Sequence, residues 1–379
     1  MSAFERALKG IEVPEDMPDE KEWSAFVRDD PYNPGNSIEG YLCRTATRFY
    51  GALLLTFVNG KEMPQLIFCT PKLHYPFDKN ENWHFPKAMR IEVYEKLDGT
   101  NIFAYTYRAP GCVCQSFKTR QTPVVEDTEL IPFKSLLLEV LDRKATFRFW
   151  QETSRNLSFE LWGAKNPHLI QYQRPLALSF LFSVDSRGEI YSPKSGNWTG
   201  EIPKDMGRVD GNYVETYRWH QSEDESALKP LEDGGFEGSE GRVWYLLTEG
   251  MKWVMFKCKP HQIEKIHWTT GGIGVNIIKA TALNSLESGP MTVDTVIELL
   301  KEEFTEQQIA KSQIRIGNVI EEVKANLAFR DRVLALYDVN GIDINSDKAG
   351  ALRALSPMFE KREMKRVYSS LIAYRGISR

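Results

Sequence analysis

The stretch Glu95-Lys96-Leu97-Asp98-Gly99-Thr100-Asn101 puts a lysine amine two residues ahead of an acidic, glycine-containing turn. Strand-like runs flank it over 91–107, so Lys96 stands at a strand end, where a turn can present its amine at a pocket floor. Such an amine can act as a nucleophile once its surroundings remove the proton that a free ammonium, with a pKa of about 10.4, keeps at neutral pH. The K-x-D-G pattern alone says little, because roughly one chain in ten of this length carries one by chance. Its plain alternative is a lysine ahead of a hairpin turn. His74, His84, His168, His220, His261 and His267 show no metal-ligand spacing such as H-E-x-x-H, and they are assigned no role. Cys43, Cys69, Cys112, Cys114 and Cys258 are odd in number and scattered, with no C-x-x-C pair, which argues against a disulfide framework and a zinc site.

The chain that must position Lys96 has 379 residues, enough for two or three domains. Its 42% hydrophobic and 12% aromatic content excludes a mostly disordered protein. No apolar run approaches the roughly 20 residues of a membrane span, and the opening MSAFERALKGIEVPEDMPDE lacks the apolar region of a secretory signal. The expectation is a cytoplasmic protein without membrane contact. A net charge of -4 argues at first sight against a polyanionic partner. The charge is segregated, however. Residues 1–35 carry a net of -5 and residues 201–250 a net of -7, so the other 294 residues sum to +8. Steering depends on the local field, and a basic working surface is compatible with the total.

Along the chain, an acidic lead-in with Pro14, Pro18, Pro31 and Pro34 reads as irregular or partly helical. Two β-rich runs follow, joined at Asn59-Gly60, a favoured hairpin dipeptide. The run 91–107 reads as strand, turn, strand, with Asp98-Gly99 at the turn, and 127–150 has helical spacing. RNLSFELWG, RPLALSFLFSV and RVWYLLTEGMKWVMFKCKP are strand-like, the last with a turn near Glu249-Gly250. After Gly289-Pro290 the periodicity is helical: Thr292 can cap one helix, Thr305 with Gln308 forms a capping box for the next, and Ser356-Pro357 would start a last, basic helix. The expected class is therefore α+β, with a largely antiparallel body and an all-helical C-terminal part.

The order of further motifs gives K-x-D-G its weight. The sequence resembles the covalent nucleotidyltransferases, the superfamily of ATP-dependent DNA and RNA ligases and mRNA capping enzymes. Lys96-Leu97-Asp98-Gly99 matches the nucleotidyl motif, and Lys118-Thr119-Arg120 the basic turn ending in arginine. Phe159-Glu160-Leu161-Trp162-Gly163 matches the strand with a glutamate near a glycine, and Leu178-Ser179-Phe180-Leu181-Phe182 the strand that supplies an aromatic under the base. Glu240-Gly241-Arg242-Val243 matches E-G-x-V, and Lys257-Cys258-Lys259 matches K-x-K. Glu249-Gly250 also fits the E-G pattern, but as the turn between two paired strands it would be solvated, so Glu240 is preferred.

The resemblance implies an ATP-grasp-like ligase adenylation domain over 91–275, an N-terminal extension over 1–90 and a helical domain over 285–379. It implies that Lys96 attacks the α-phosphate of ATP to form lysyl-AMP, with Lys257 and Lys259 neutralising the developing charge. Glu95, Asp98, Gly99, Arg120, Glu160, Phe180, Glu240 and Val243 would surround the nucleotide, Phe180 stacking on adenine with Phe182 as the alternative. Glu160 and Glu240 would hold Mg²⁺ or Mn²⁺. Arg44 and Lys72 are candidates for further phosphate contacts upstream. A helical tail in place of a small β-barrel resembles the phage-type and archaeal RNA ligases, so the expected partner is RNA with 5'-phosphate and 3'-hydroxyl ends. The alternatives are a DNA or nick-specific ligase and a non-catalytic nucleotide- or RNA-binding protein of the same fold. From 361 onward Lys361, Arg362, Lys365, Arg366, Arg375 and Arg379 face the single acid Glu363. They suggest RNA contact, a homodimer through the helical part, or simply a solvated helix end favoured by the dipole.

Overall fold

The computed structural model describes residues 2–78, 82–128, 131–207, 209, 211–231, 236–260, 273–287, 289–302, 304–341, 344 and 346–375, the last four by their backbone only. Helix α1 (Ala3–Leu8) begins at Ser2 in a capping box with Glu5 and buries Phe4 and Ala7. It packs on a four-stranded antiparallel sheet in the order β1 (Trp23–Asp29), β2 (Ser37–Cys43), β3 (Leu53–Val58), β4 (Lys61–Ile67). The lead-in, expected to be irregular or partly helical, contains this helix and also strands. The reason it hid them is visible in β1, an edge strand of which only Trp23 is buried, so no apolar alternation marks it. Asn59 and Gly60 turn β3 into β4 at φ 54° and 70°, the left-handed pair that a tight hairpin needs.

The body holds two more sheets. A five-stranded one has the order β10-β9-β8-β6-β7, built from β6 (Thr100–Ala109), β7 (Cys112–Lys118), β8 (Asn156–Trp162), β9 (Ala177–Val184) and β10 (Ile190–Tyr191). A three-stranded one has the order β14-β13-β5, with β5 (Ala88–Glu95), β13 (Arg242–Thr248) and β14 (Trp253–Cys258). A two-residue pair, β11 (Lys229–Pro230) and β12 (Phe236–Glu237), lies between them in sequence. β13 and β14 form the expected hairpin around Glu249-Gly250. The run 91–107 departs from a simple hairpin: β5 and β6 belong to different sheets, so residues 96–99 cross from one to the other. The helical stretch 127–150 is two helices, α2 (Phe133–Val140) and α3 (Arg143–Thr153), because Asp142 accepts from the Ala145 N–H and starts a new helix. A longer helix, α4 (Tyr213–Ala227), starts at the Asn212 cap.

The rest of the described chain is helical: α5 (Val275–Ser285), α6 (Val293–Leu300), α7 (Glu306–Asn340), α8 (Lys348–Leu355) and α9 (Met364–Arg375). Thr292 caps α6, and Thr305 with Gln308 boxes the start of α7, as expected. Ser356-Pro357 does not start the last helix. Ser356 continues the right-handed path out of α8 into a short turn, and α9 begins at Met364. Arg366 is held on α7, donating to Asn326 at 2.5 Å and lying 4.0 Å over the Phe329 ring. Arg379, His261 and His267 lie outside the described residues, as does the Arg375 side chain. One apolar cluster joins Ile102, Leu157 and Phe180 of the five-stranded sheet to Ile278 on α5, Val296 on α6 and Ile316 on α7. The first half of the helical part thus shares the sheet's core, and only the distal helices have their own, around Val333, Leu355 and Leu371. No helix among the described residues is long and apolar enough to cross a membrane.

Candidate active site

The crossing at 96–99 lines a cavity of about 330 Å³, within the range of small-molecule sites. Two glycines make the crossing possible. A Cβ at Gly99 would meet the Leu161 carbonyl at 2.3 Å, so only glycine lets the turn lie against β8. Gly241 sits at φ 133°, and a Cβ there would meet the Cys258 carbonyl at 2.1 Å. That close approach lets the Gly241 carbonyl accept from the Lys96 N–H at 2.8 Å, which brings the preceding side chain, Glu240, to the lysine.

The charges converge there. The Lys96 ammonium donates to Glu240 Oε2, and Lys259 Nζ pairs with Glu240 Oε1 at 2.7 Å. Lys96, Lys259 and Glu240 are mostly buried, at 20%, 16% and 8% side-chain exposure respectively. Burial by itself would raise the Glu240 pKa, but the Lys259 and Lys96 ammonium groups outweigh it and hold the carboxyl at about 2. Lys257, directly opposite Val243 in the β13–β14 register, lies 4.3 Å over the Tyr75 ring. Glu160 accepts from the Gly99 N–H at 3.1 Å. Burial pushes its pKa up to about 7, with Lys96 opposing and the Glu240 and Asp98 carboxylates reinforcing the rise. Asp98 is raised by burial and by Glu240; it accepts from the Ile170 N–H at 2.7 Å, and its own N–H donates to the Tyr172 hydroxyl at 2.8 Å.

The sign of the Glu160 shift gives a test. A carboxyl whose folded pKa is raised from 4.5 to about 7 costs nothing at low pH and its full penalty once the pH exceeds the folded value. Glu160→Gln keeps an acceptor for Gly99 and is expected to stabilise the fold by about 3 kcal/mol at pH 8, with no gain at pH 4. Chemical denaturation at the two pH values measures it, and an equal effect at both would refute the account.

Of the residues singled out from the sequence, the structure brings Glu95, Lys96, Asp98, Gly99, Arg120, Glu160, Glu240, Val243, Lys257 and Lys259 to this one cavity. Glu249 lies in the β13–β14 turn, 62% exposed and 2.7 Å from Lys87, and does not line it. Phe180 is a correction. It is 1% exposed and packs against Phe149, Phe159 and Trp198, away from the cavity, whereas Phe182 lines it. The physical reason is a bulge: Ser158 pairs with Phe182 and Phe159 with Phe180, leaving Leu181 as an extra residue that turns the two rings to opposite sides of the sheet. Lys118 is fully buried, donating to the Gly51 and Thr119 carbonyls at 2.8 and 2.6 Å, so within Lys118-Thr119-Arg120 only the arginine reaches the cavity. Lys72 lines the cavity and pairs with Glu302 at 2.9 Å; Arg44 lies on the exposed surface, donating to the Gln121 side chain at 2.5 Å.

Sequence reasoning missed the far wall. Asn276, Thr281 and Asn284 of α5, with Glu287 and Glu302 beyond it, face the cavity from the helical part. Burial raises Glu287 to about 8, helped by Glu160. No local motif marks these residues, because what places them is the packing of α5 on the sheet. Tyr94 and Tyr245, edge to face at 5.5 Å, close the apolar end together with Leu181, Phe182 and Met255.

The metal expectation fits less well. Among the described residues no three His, Cys, Asp or Glu side chains gather as a cation site. Glu240 is taken by two ammonium groups and Glu160 by a backbone N–H. These residues do not form a metal site by themselves.

No protein-family profile and no curated protein matches the chain. Among solved structures it is similar to two forms of an archaeal ATP-dependent RNA ligase. Form 1 is 12% identical, with 92% of each chain covered and a TM-score of 0.44. Form 2 is 13% identical, with 88% of this chain and 90% of that one covered and a TM-score of 0.43. It is also similar to a mutant RNA ligase of Naegleria gruberi solved with ATP and Mn, 16% identical over 48% of this chain and 52% of that one, with a TM-score of 0.32. The reading of the site rests on its own geometry.

Proposed function

We propose that the protein is an ATP-dependent RNA ligase that joins 5'-phosphate and 3'-hydroxyl ends through lysyl-AMP and RNA-adenylate intermediates. The observation that carries this reading is the Lys96–Glu240–Lys259 cluster: two lysines sharing one anionic carboxylate inside a nucleotide-sized cavity with an apolar end. Adenine lies at that end, against Phe182 and Val243, and Glu95 and Glu160 face the sugar and base edge. A triphosphate arriving beside Lys259 and Lys257 competes with Glu240 for the Lys259 charge, weakening that ion pair. Lys96 passes a proton to Glu240, its hydrogen-bond partner, and attacks the α-phosphorus; the N–P bond forms as the bond to the pyrophosphate oxygen breaks and pyrophosphate leaves with the electron pair. Lys257 and Lys259 stabilise the negative charge that develops on the α-phosphate oxygens. Transfer of AMP to an RNA 5'-phosphate and attack by a 3'-hydroxyl with loss of AMP complete the reaction.

The choice of RNA over a DNA nick rests on the resemblance of the helical part beyond 275 to the tails of the RNA ligases. The test is incubation with α-labelled ATP and Mg²⁺, followed by peptide mapping of the protein. Label on the peptide containing Lys96, absent from Lys96→Ala, is expected. An unlabelled protein, or label that survives Lys96→Ala, sinks the covalent mechanism. Sealing of single-stranded RNA, nicked RNA and nicked DNA then decides the substrate, and activity confined to nicked DNA would overturn the RNA reading.

A further inference from the structure

The strand that carries Lys257 and leads into Lys259 lies at the edge of its sheet. In its sheet β14 pairs with β13, and on its outward side the Lys257 N–H donates to the His74 carbonyl at 3.0 Å, so it is the outward carbonyls that need donors from elsewhere in the fold. Helix α4 supplies them. The Tyr217 hydroxyl donates to the Lys257 carbonyl at 2.9 Å, and Gln221 Nε2 donates to the Lys259 carbonyl at 3.1 Å. Both side chains are interior, Tyr217 at 0% and Gln221 at 2% exposure. Lys259 has the greater need, because the β13–β14 register ends at Cys258 and the ladder no longer fixes the residue after it.

The helix is itself anchored to the sheet. Arg242, the first residue of β13 and 2% exposed, donates to Asp224 through Nε at 3.0 Å and Nη2 at 3.2 Å, and to Glu223 at 2.5 Å. The anchor and the two carbonyl contacts make α4 a strut between β13, which follows Glu240, and β14, which ends at the lysines. Two acids of the acidic segment 201–250 are thereby used to balance a buried arginine.

We infer that Gln221 is a positioning residue: from α4 it sets where Lys259 stands beside Glu240 and the α-phosphate, while Tyr217 does the same for Lys257. The kinetic part of this inference rests on the ligase reading above; the placement of Lys259 does not. A charge-stabilising lysine misplaced by about 1 Å slows the chemical step far more than it weakens ground-state binding.

The experiment uses the full chain with Gln221→Met, which is nearly isosteric and removes the donor. Gln221→Asn, which withdraws the donor by one methylene, serves if the first variant does not fold. In single-turnover transfer from α-labelled ATP the maximal rate falls roughly tenfold, while the half-saturating ATP concentration stays within about twofold, as expected when only transition-state stabilisation is lost. In parallel, trace acetylation without nucleotide, read by peptide mass spectrometry, reports each lysine against exposed Lys87. Lys259 becomes severalfold more reactive in the Gln221 variants and stays at its wild-type level in Tyr217→Phe. An unchanged rate with unchanged Lys259 labelling overturns the inference. So does a uniform rise across all lysines, which would mean general loosening. If the wild-type protein takes no label from ATP, the ligase reading falls, and Lys259 acetylation alone decides the strut: raised supports it, unchanged overturns it.

Discussion

Glu240→Ala is expected to cut lysyl-AMP formation by about 10²–10³-fold and to destabilise the fold by about 3–5 kcal/mol. Both effects have one cause. Glu240 is the shared counter-ion of Lys96 and Lys259, and removing it leaves two mostly buried ammonium groups facing each other. Breaking a buried pair costs more than the pair is worth, because the desolvation penalty of the remaining charge is no longer offset. In the proposed reaction, Lys96 loses the group that aims it and Lys259 swings away from the phosphate. Glu240→Gln keeps the shape and one acceptor oxygen, so it should fall between the wild type and alanine in both measurements. The pH dependence follows from the sign of the shift. Glu240 is held at about 2, below its ordinary 4.5, so its contribution is fully present above pH 4.5 and disappears as the pH falls toward 2. Chemical denaturation from pH 7 down to pH 2, with rapid-quench labelling at neutral pH, measures all of this. An alanine variant as stable and as active as the wild type would remove Glu240 from the site.

The second large effect separates two rings that a strand pattern treats as equivalents. Phe180→Ala is expected to cost about 3–5 kcal/mol of stability, because Phe180 is enclosed by Phe149, Phe159 and Trp198. The half-saturating ATP concentration should not change, since the ring is on the far side of the sheet from the cavity. Phe182→Leu keeps most of the buried volume and removes the flat face. Its expected result is a small stability change and an ATP requirement raised by about tenfold, in line with the stacking worth of one base on an aromatic ring. Thermal unfolding and nucleotide titration of both variants are the measurements. An ATP defect in Phe180→Ala with none in Phe182→Leu would reverse the assignment.

Local chemistry was legible wherever neighbouring residues are enough to decide it. Asn59-Gly60 turns a hairpin because both residues tolerate positive φ, and Thr305 with Gln308 caps a helix because two orphan N–H groups need acceptors three residues apart. The order of K-x-D-G, E-G-x-V and K-x-K was equally readable, and the residues it named meet in one cavity. Where side-chain direction depends on a partner, the reading failed. Phe180 and Phe182 alternate in step along the sequence, yet the extra Leu181 appears only when β9 is paired with β8. β1 hid for the opposite reason, since an exposed edge strand has no buried face to print a pattern.

The sequence by itself determined the chemistry-bearing set: a lysine at a glycine turn, two carboxylates, a K-x-K pair, and the turns and caps around them. Only the tertiary structure decided that Glu240 lies between Lys96 and Lys259, that Phe182 faces the cavity, and that α5 and Glu302 form its far wall. The reason is physical. Turn and cap preferences are set by bonds within a few residues. Charge pairing, strand register and helix closure are set by contacts between segments that can be more than a hundred residues apart in the chain, and those exist only once the core has formed.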